Sequence, residues 1–165
     1  IEMKADWWEN HILLKVAFPV NIKNNKATYE IPYAYIQRPT TRQNDWEKAR
    51  FEVPAIRWAD LSEEKYGVSL LNSCKYGYDI KDNVIRLTLL RSPLWPDPMA
   101  DRGHHQFSYA LYPHQGDWRK ADTVQRAYEF NVPLISLLIA SHPGNLPSSY
   151  SSSCLLGYKA ILKFF

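Results

Sequence analysis

The sequence predicts an all-β domain, a β-sandwich carrying one short helix near residues 117–130. Three observations lead there. Aromatic residues make up 14% of the chain, with 11 Tyr and 6 Trp, and such side chains suit a pleated, half-buried surface. Eleven Pro stand beside only 6 Gly, which favours strands joined by proline-marked turns over helices. Apolar residues alternate with a period of two along most of the chain, whereas a helical stripe is found once.

Taken in order, Leu14, Val16, Phe18 and Val20 alternate with Leu13, Lys15, Ala17 and Pro19, so residues 11–20 predict a strand buried on one face. A polar turn over 21–26 follows. Tyr29, Ile31, Tyr33 and Tyr35 then predict a second strand, with Pro32 placing part of it at an edge or bulge, and the two strands are expected to pair as a hairpin. Residues 38–44 (RPTTRQN) form a loop, 45–48 a single helical turn, and 50–58 an irregular strand with Phe51, Val53 and Ala55 on one side. Residues 66–71 are a short apolar strand. Lys81-Asp82-Asn83 is a turn joining 79–81 to the strand 84–91, whose Ile85, Leu87 and Leu89 share a face; this is the clearest hairpin.

Residues 92–103 (SPLWPDPMADRG) hold three prolines and no periodicity, which marks a long loop with scope for function. His105, Phe107, Tyr109 and Leu111 alternate along a strand ending at Pro113. Trp118, Ala121, Val124 and Tyr128 fall on one helical stripe, with Asp117 at the N-cap and Pro133 beyond the end. Residues 132–140 are compatible with a further strand. The composition then changes: residues 1–147 form the sandwich domain, and 148–165 a serine-rich linker and apolar tail. No segment recurs at a fixed spacing.

Composition narrows the function. Lys and Arg number 20 against 17 Asp and Glu, a net charge of +3 with both signs interspersed, so no stripe suited to nucleic acid arises. No run of about 20 apolar residues predicts a membrane span. Cys74 and Cys154 are too few and too far apart for a disulfide scaffold or a zinc site, and read as two thiols, one of them buried. The chain opens Ile-Glu-Met-Lys without a signal-type segment and reads as a piece of something longer.

No self-sufficient active site emerges from the residues. Asp97 and Asp101 share the long loop, but a solvated loop explains them better than a catalytic carboxylate pair. His104 and His105 are neighbours on a strand and point to opposite faces, so they do not share an ion, and with His114 they are expected to be structural. No phosphate cradle and no nucleophile elbow is present. Of the six Trp, most are expected in the core or an interface, and Trp95 in the long loop is the best platform for stacking a sugar ring. Arg91, where the strand enters that loop, could clamp an acid or sugar hydroxyls, although a surface salt bridge is the plainer role.

Five blocks in order sharpen this: DWWENHILLKVAFPV (6–20), ATYEIPYAYIQRPT (27–40), WEKARFEVPAIRWADLSE (46–63), YGVSLLNSCKYGYDIKDNVIRLTLLRSP (66–93) and PDPMADRGHHQFSYALYPH (96–114). Together they resemble the C-terminal half of α-mannosidases of glycoside hydrolase family 38, nearest to the bacterial and cytosolic-type members, over about residues 5–135. The resemblance implies a partial sandwich of the galactose-mutarotase-like, or supersandwich, type that packs on an N-terminal catalytic domain. It implies a retaining parent enzyme that acts on α-mannoside glycans, with its carboxylate nucleophile and its zinc, held by His and Asp, in that other domain. Accordingly no catalytic residue and no metal ligand is carried over to this chain. Where the β domain faces the cleft in relatives, Asn72, Lys75, Tyr76, Arg91 and Asp97 become cleft-edge candidates, with Trp95 as the stacking candidate; the competing reading makes NSCKYG a tight turn built on Gly77. A cytoplasmic location, and a homo-oligomer formed through exposed strand edges, are further expectations. The alternatives are a stand-alone carbohydrate-binding module and an interaction domain. The tail after about Pro147 departs from the family pattern.

Overall fold

The computed structural model describes residues 1–136 and, beyond them, the backbone of four two-residue strands. The chain divides into two compact units, Ile1–Pro133 and Leu134–Phe165. The first unit holds β1 (Glu2–Trp7), β2 (Leu14–Pro19), β3 (Lys26–Ile31), β4 (Ala34–Pro39), α1 (Asp45–Ala49), β5 (Val53–Pro54), β6 (Trp58–Ser62), β7 (Tyr66–Asn72), β8 (Gly77–Lys81), β9 (Val84–Leu90), β10 (Gly103–Gln115) and α2 (Thr123–Asn131). In the second, β11 (Ser149–Tyr150) pairs with β14 (Leu162–Lys163), and β12 (Cys154–Leu155) with β13 (Tyr158–Lys159).

Two antiparallel sheets build the first unit: a six-stranded one in the order β1-β10-β7-β6-β3-β4 and a four-stranded one in the order β2-β9-β8-β5. Alternation along the strands decides what lies between them. Tyr29, Ala59, Leu61, Val68, Leu70, Phe107 and Tyr109 from the larger sheet meet Tyr78, Ile80, Ile85, Leu87 and Leu89 from the smaller, and all are buried. Leu14, Val16, Phe18 and Val20 cover one margin of this core, on the face their alternation predicts.

The other face of the six-stranded sheet has its own small core. Trp58 and Leu71 pack there against Trp118 and Ala127, the last from α2. Trp118 stacks between Trp58 and Tyr35, both at 5.0 Å between ring centroids, a spacing at which tilted aromatic rings attract. Thus the single longer helix closes the sheet's outer face.

The structure corrects several expectations. The strands at 11–20 and 28–35 do not pair: β2 joins β9 in the small sheet, while β3 pairs with β4 in the large one. The intervening stretch is not purely a polar turn, because Ile22 is 1% exposed and carries the chain across the sandwich with an apolar anchor. The expected strand at 28–35 is really the start of a hairpin; Ile31 pairs with Ala34 across Pro32-Tyr33, and Tyr33 takes a left-handed φ of 60°. Residues 50–58 contribute only the two-residue β5 before β6 begins at Trp58, and Phe51 is exposed. The N-terminal strand β1 was not anticipated from sequence, although Met3, Ala5 and Trp7 alternate with Glu2, Lys4 and Asp6 and are the half-buried positions of the strand. Strand β10 runs through Pro113 to Gln115. The helix begins at Thr123 and not at Asp117, whose carboxylate accepts the amide hydrogen of Lys120 at 3.0 Å in the turn before it; Asp122, in the left-handed region, is the N-cap. Its buried residues are Thr123 and Ala127, and Tyr128 of the expected stripe is exposed.

The helical turn at 45–49, the β8–β9 hairpin with its Lys81-to-Val84 pairing and the long loop after β9 agree with expectation. Residues 132–136 form no strand, and Leu134 and Ile135 are exposed. Residues 137–140, and the side chains of the serine-rich segment and the tail, lie outside the described residues.

Candidate functional site

Two connections flank the same end of the sandwich, since β8 is antiparallel to β9: the 73–76 link and the 91–102 loop. The loop is held down at its base. Asp101, at φ 60°, directs its Oδ2 to the backbone N–H groups of Arg91 and Ser92, both at 2.9 Å. Those two donors, chiefly, hold the Asp101 carboxyl below the ordinary carboxylate range, with Lys75 and His105 adding to the effect. The carbonyl of Asp101 meets His105 Nε2 at 2.8 Å. Ser92 is buried, with φ 54°, and its Oγ accepts the Trp7 indole hydrogen at 2.5 Å. Arg102 reaches Asn10 Oδ1 at 2.5 Å from one nitrogen and 3.2 Å from another.

On this frame the sequence-derived candidates separate into supported and displayed residues. Asn72 is 1% exposed; its Nδ2 donates to the Ile56 carbonyl at 3.1 Å and to the Tyr78 hydroxyl at 2.6 Å, and its Oδ1 accepts from Lys75 N at 2.5 Å. It shapes the 73–76 turn from within. Lys75 is half-buried with its ammonium 4.2 Å from the Phe107 ring centroid, an attraction between cation and π face. Tyr76 and Arg91 are exposed, and the Arg91 guanidinium makes no ion pair among the described residues, so the surface salt bridge expected for it is absent there. Asp97 is exposed and accepts from Met99 N at 2.9 Å. Trp95 is 87% exposed. Structure therefore brings Lys75 and the Arg91 backbone to Asp101, while Trp95 and Asp97 stand out on the loop. Asp101, read from sequence only as half of a doubtful carboxylate pair, is the residue that organises this end, and a left-handed Ser92 gave no sequence signal.

Trp58 and Trp118 are interior and Trp7 is half-buried, whereas Trp8, Trp46 and Trp95 are exposed, so the core takes only part of the set. Cys74 is an exposed free thiol; Cys154 lies outside the described side chains. His104 sits 3.3 Å from Asp6 Oδ1 on the surface. His114 belongs to a buried knot beneath α2. Its Nε2 lies 2.9 Å from Asp60 Oδ2 and 3.2 Å from Ser69 Oγ, and Ser69 Oγ lies 2.8 Å from the same Asp60 oxygen and 2.9 Å from Thr123 Oγ1. The residue types are those of a hydrolase triad, but the wiring is not. One imidazole nitrogen faces both partners, so the ring cannot relay a proton between them, and Asp60, Ser69 and Thr123 are at most 1% exposed. The knot pins α2 to the sheet.

Zinc finds no fit in these residues. Among the described residues no group of three or more His, Cys, Asp or Glu could hold a metal ion, and His104 and His105 engage different partners, Asp6 and Asp101. No helix is long and apolar enough to cross a membrane among the described residues.

Comparison with known proteins accords with this geometry. Residues 1–99 match the glycosyl hydrolases family 38 C-terminal domain. The chain is 45% identical over 159 residues to alpha-mannosidase 2C1 of Mus musculus, which covers 96% of this chain and 15% of that protein. It is 49% identical over 134 residues to alpha-mannosidase 2C1 of Homo sapiens, covering 81% of the chain and 13% of the relative. An alpha-mannosidase of Saccharomyces cerevisiae is 48% identical over 126 residues, 76% of the chain and 12% of the relative. In the crystal structure of an alpha-mannosidase from Enterococcus faecalis V583, a region covering 88% of this chain and 17% of that one superposes with a TM-score of 0.76 at 23% identity, which establishes a shared fold. The chain thus spans about 15% or less of the length of these curated relatives. With more than half its residues matching the domain model and a sandwich shared with those enzymes, the chain belongs to the glycosyl hydrolase family 38 C-terminal domain family.

Proposed function

We propose that this chain serves as a non-catalytic β domain of an α-mannosidase, packing on a catalytic domain and bordering its cleft with the 73–76 and 91–102 connections. The observation that carries this reading is its 45–49% identity to α-mannosidases over 81–96% of the chain. In this reading Lys75, Tyr76, Arg91 and Asp97 meet sugar hydroxyls at the cleft edge, Trp95 stacks on a pyranose face, and Asn72 holds the turn that presents them. Zinc and the carboxylate nucleophile are supplied by the catalytic domain, the substrate is a glycan with terminal α-mannose, and the enzyme works in the cytoplasm.

The test is direct. Offered an aryl α-mannoside with zinc supplied, the isolated chain is expected to release no aryl alcohol above the uncatalysed background; turnover that survives repurification would overturn the non-catalytic assignment.

A further inference from the structure

At the far side of β8 from the loop cluster just described, a small cavity of about 40 Å³ opens between β4, α1 and β8. Three guanidinium-bearing residues line it: Arg38, Arg42 and Arg50, with Tyr29 as its floor and Glu47 and Asp79 at its margin. Both carboxylates are already engaged. Glu47 accepts the amide hydrogen of Gln43 at 2.7 Å, closing the N-terminal turn of α1. Asp79 is shared by Arg42, by Lys15 at 3.9 Å and by Arg86 at 3.6 Å, and Lys15 also reaches Glu52 Oε1 at 3.2 Å.

Arg38 and Arg50 are left over. Arg38 lies over the Tyr29 ring at 4.9 Å and donates weakly to the Pro54 carbonyl at 3.4 Å, and among the described residues neither it nor Arg50 has a carboxylate partner. Burial chiefly pushes the Arg38 pKa down, and the neighbouring Arg50 charge adds to the effect. Guanidinium groups present planar forks of N–H donors that match oxyanions in geometry and charge. The space is of the right order: at about 10–15 Å³ of such volume per water, it accommodates about three oxygen-sized centres, the face of one tetrahedral oxyanion.

We propose that this pocket, framed by Arg38, Arg42 and Arg50, binds a phosphate-sized oxyanion, either free or carried on a sugar. The site lies apart from the 73–76 and 91–102 connections, and it stands whether or not the domain borders a mannosidase cleft. An anion there neutralises Arg38 and Arg50 together and ties the loop before α1 to the smaller sheet.

Isothermal titration of the full chain with inorganic phosphate, at an ionic strength held constant with chloride, tests the proposal. Saturable binding at one site is expected. Arg50→Gln, at an exposed position, keeps the fold and is expected to weaken binding about tenfold, the loss of one charge-assisted contact. Arg38→Gln is expected to do at least as much, and Lys4→Gln, on β1, to change nothing. A hexose 6-phosphate binding more tightly than phosphate identifies a sugar-borne oxyanion, and equal affinity a free one; a neutral hexose is expected not to bind at this site. Absence of saturable phosphate binding, or binding that Arg50→Gln leaves unchanged in a variant with wild-type circular dichroism, overturns the proposal.

Discussion

The carboxylate of Asp101 gathers two backbone amides at the neck of a loop, and the consequence is a defined dependence on pH. Because hydrogen bonds from Ser92 and Arg91 lower its pKa in the folded chain, its contribution is complete above the unfolded value of about 3.9 and is lost as pH falls through the lower folded value. Amide hydrogen exchange is expected to show protected Arg91 and Ser92 at neutral pH and progressive loss of that protection below about pH 4. Asp101→Asn retains one acceptor oxygen without the charge; it is expected to cost about 1 kcal/mol and to abolish the acid-dependent change. Unaltered protection at both amides in the variant would show that the loop neck is held by other contacts. Asn72 illustrates the limit of reading at this scale. In sequence it sits in a polar stretch, NSCKYG, that looks like a surface turn. In the structure it is buried because the Tyr78 hydroxyl, arriving from the opposite sheet, needs a partner inside the sandwich.

At the scale of elements, strands whose apolar faces alternate cleanly were legible, and their partners were not. Ile85, Leu87 and Leu89 of β9 all lie in the core on one face, as their spacing required, and the short turn after β8 made β8 one of its two neighbours. Strand β2 has an equally clear face, but Ile22 takes the following segment through the sandwich and gives β2 a partner far along the chain. Close packing between elements also leaves little trace in sequence. Gly67 in β7 is such a point: a Cβ there would stand 2.3 Å from His114 Cε1 and 2.6 Å from Ser62 Cβ. Gly67→Ala is therefore expected to destabilise the domain by about 1–3 kcal/mol, by displacing His114 from Asp60 and loosening the seat of α2. Urea unfolding measures it; a change under about 0.5 kcal/mol, the ordinary range for surface positions, would mean that the strand shifts without strain. Thr123 makes the same point from the helix side, since its hydroxyl meets Ser69 in the sheet at 2.9 Å. Nothing in the helical stripe of Trp118, Ala121, Val124 and Tyr128 pointed to it.

For the molecule as a whole, the exposed aromatic side chains matter most. Trp8, Trp46 and Trp95 are each more than half exposed, and Trp is a residue type enriched at interfaces. This fits a domain whose surface is completed by a larger protein, of which the relatives are examples. At that scale the cleft assignment becomes a kinetic statement. In an α-mannosidase that carries this domain, Arg91→Ala is expected to lower kcat/KM by about tenfold through one lost charged contact to substrate, with the unfolding midpoint unchanged because the Arg91 side chain makes no ion pair among the described residues. Unchanged kinetics would place the 91–102 loop away from the sugar.

The sequence by itself determined the all-β character, the β8–β9 hairpin, the long loop after it and the membership carried by five ordered motifs, because alternation, turn chemistry and motif order are local properties of the chain. Only the tertiary structure decided which sheet each strand joined, that Asn72 and His114 are interior, that Asp101 closes the loop neck, and that Arg38 and Arg50 line one cavity with no carboxylate partner of their own among the described residues. Those outcomes depend on which buried polar groups and which charges meet across the sandwich, and residues far apart in sequence meet only when both sheets have formed.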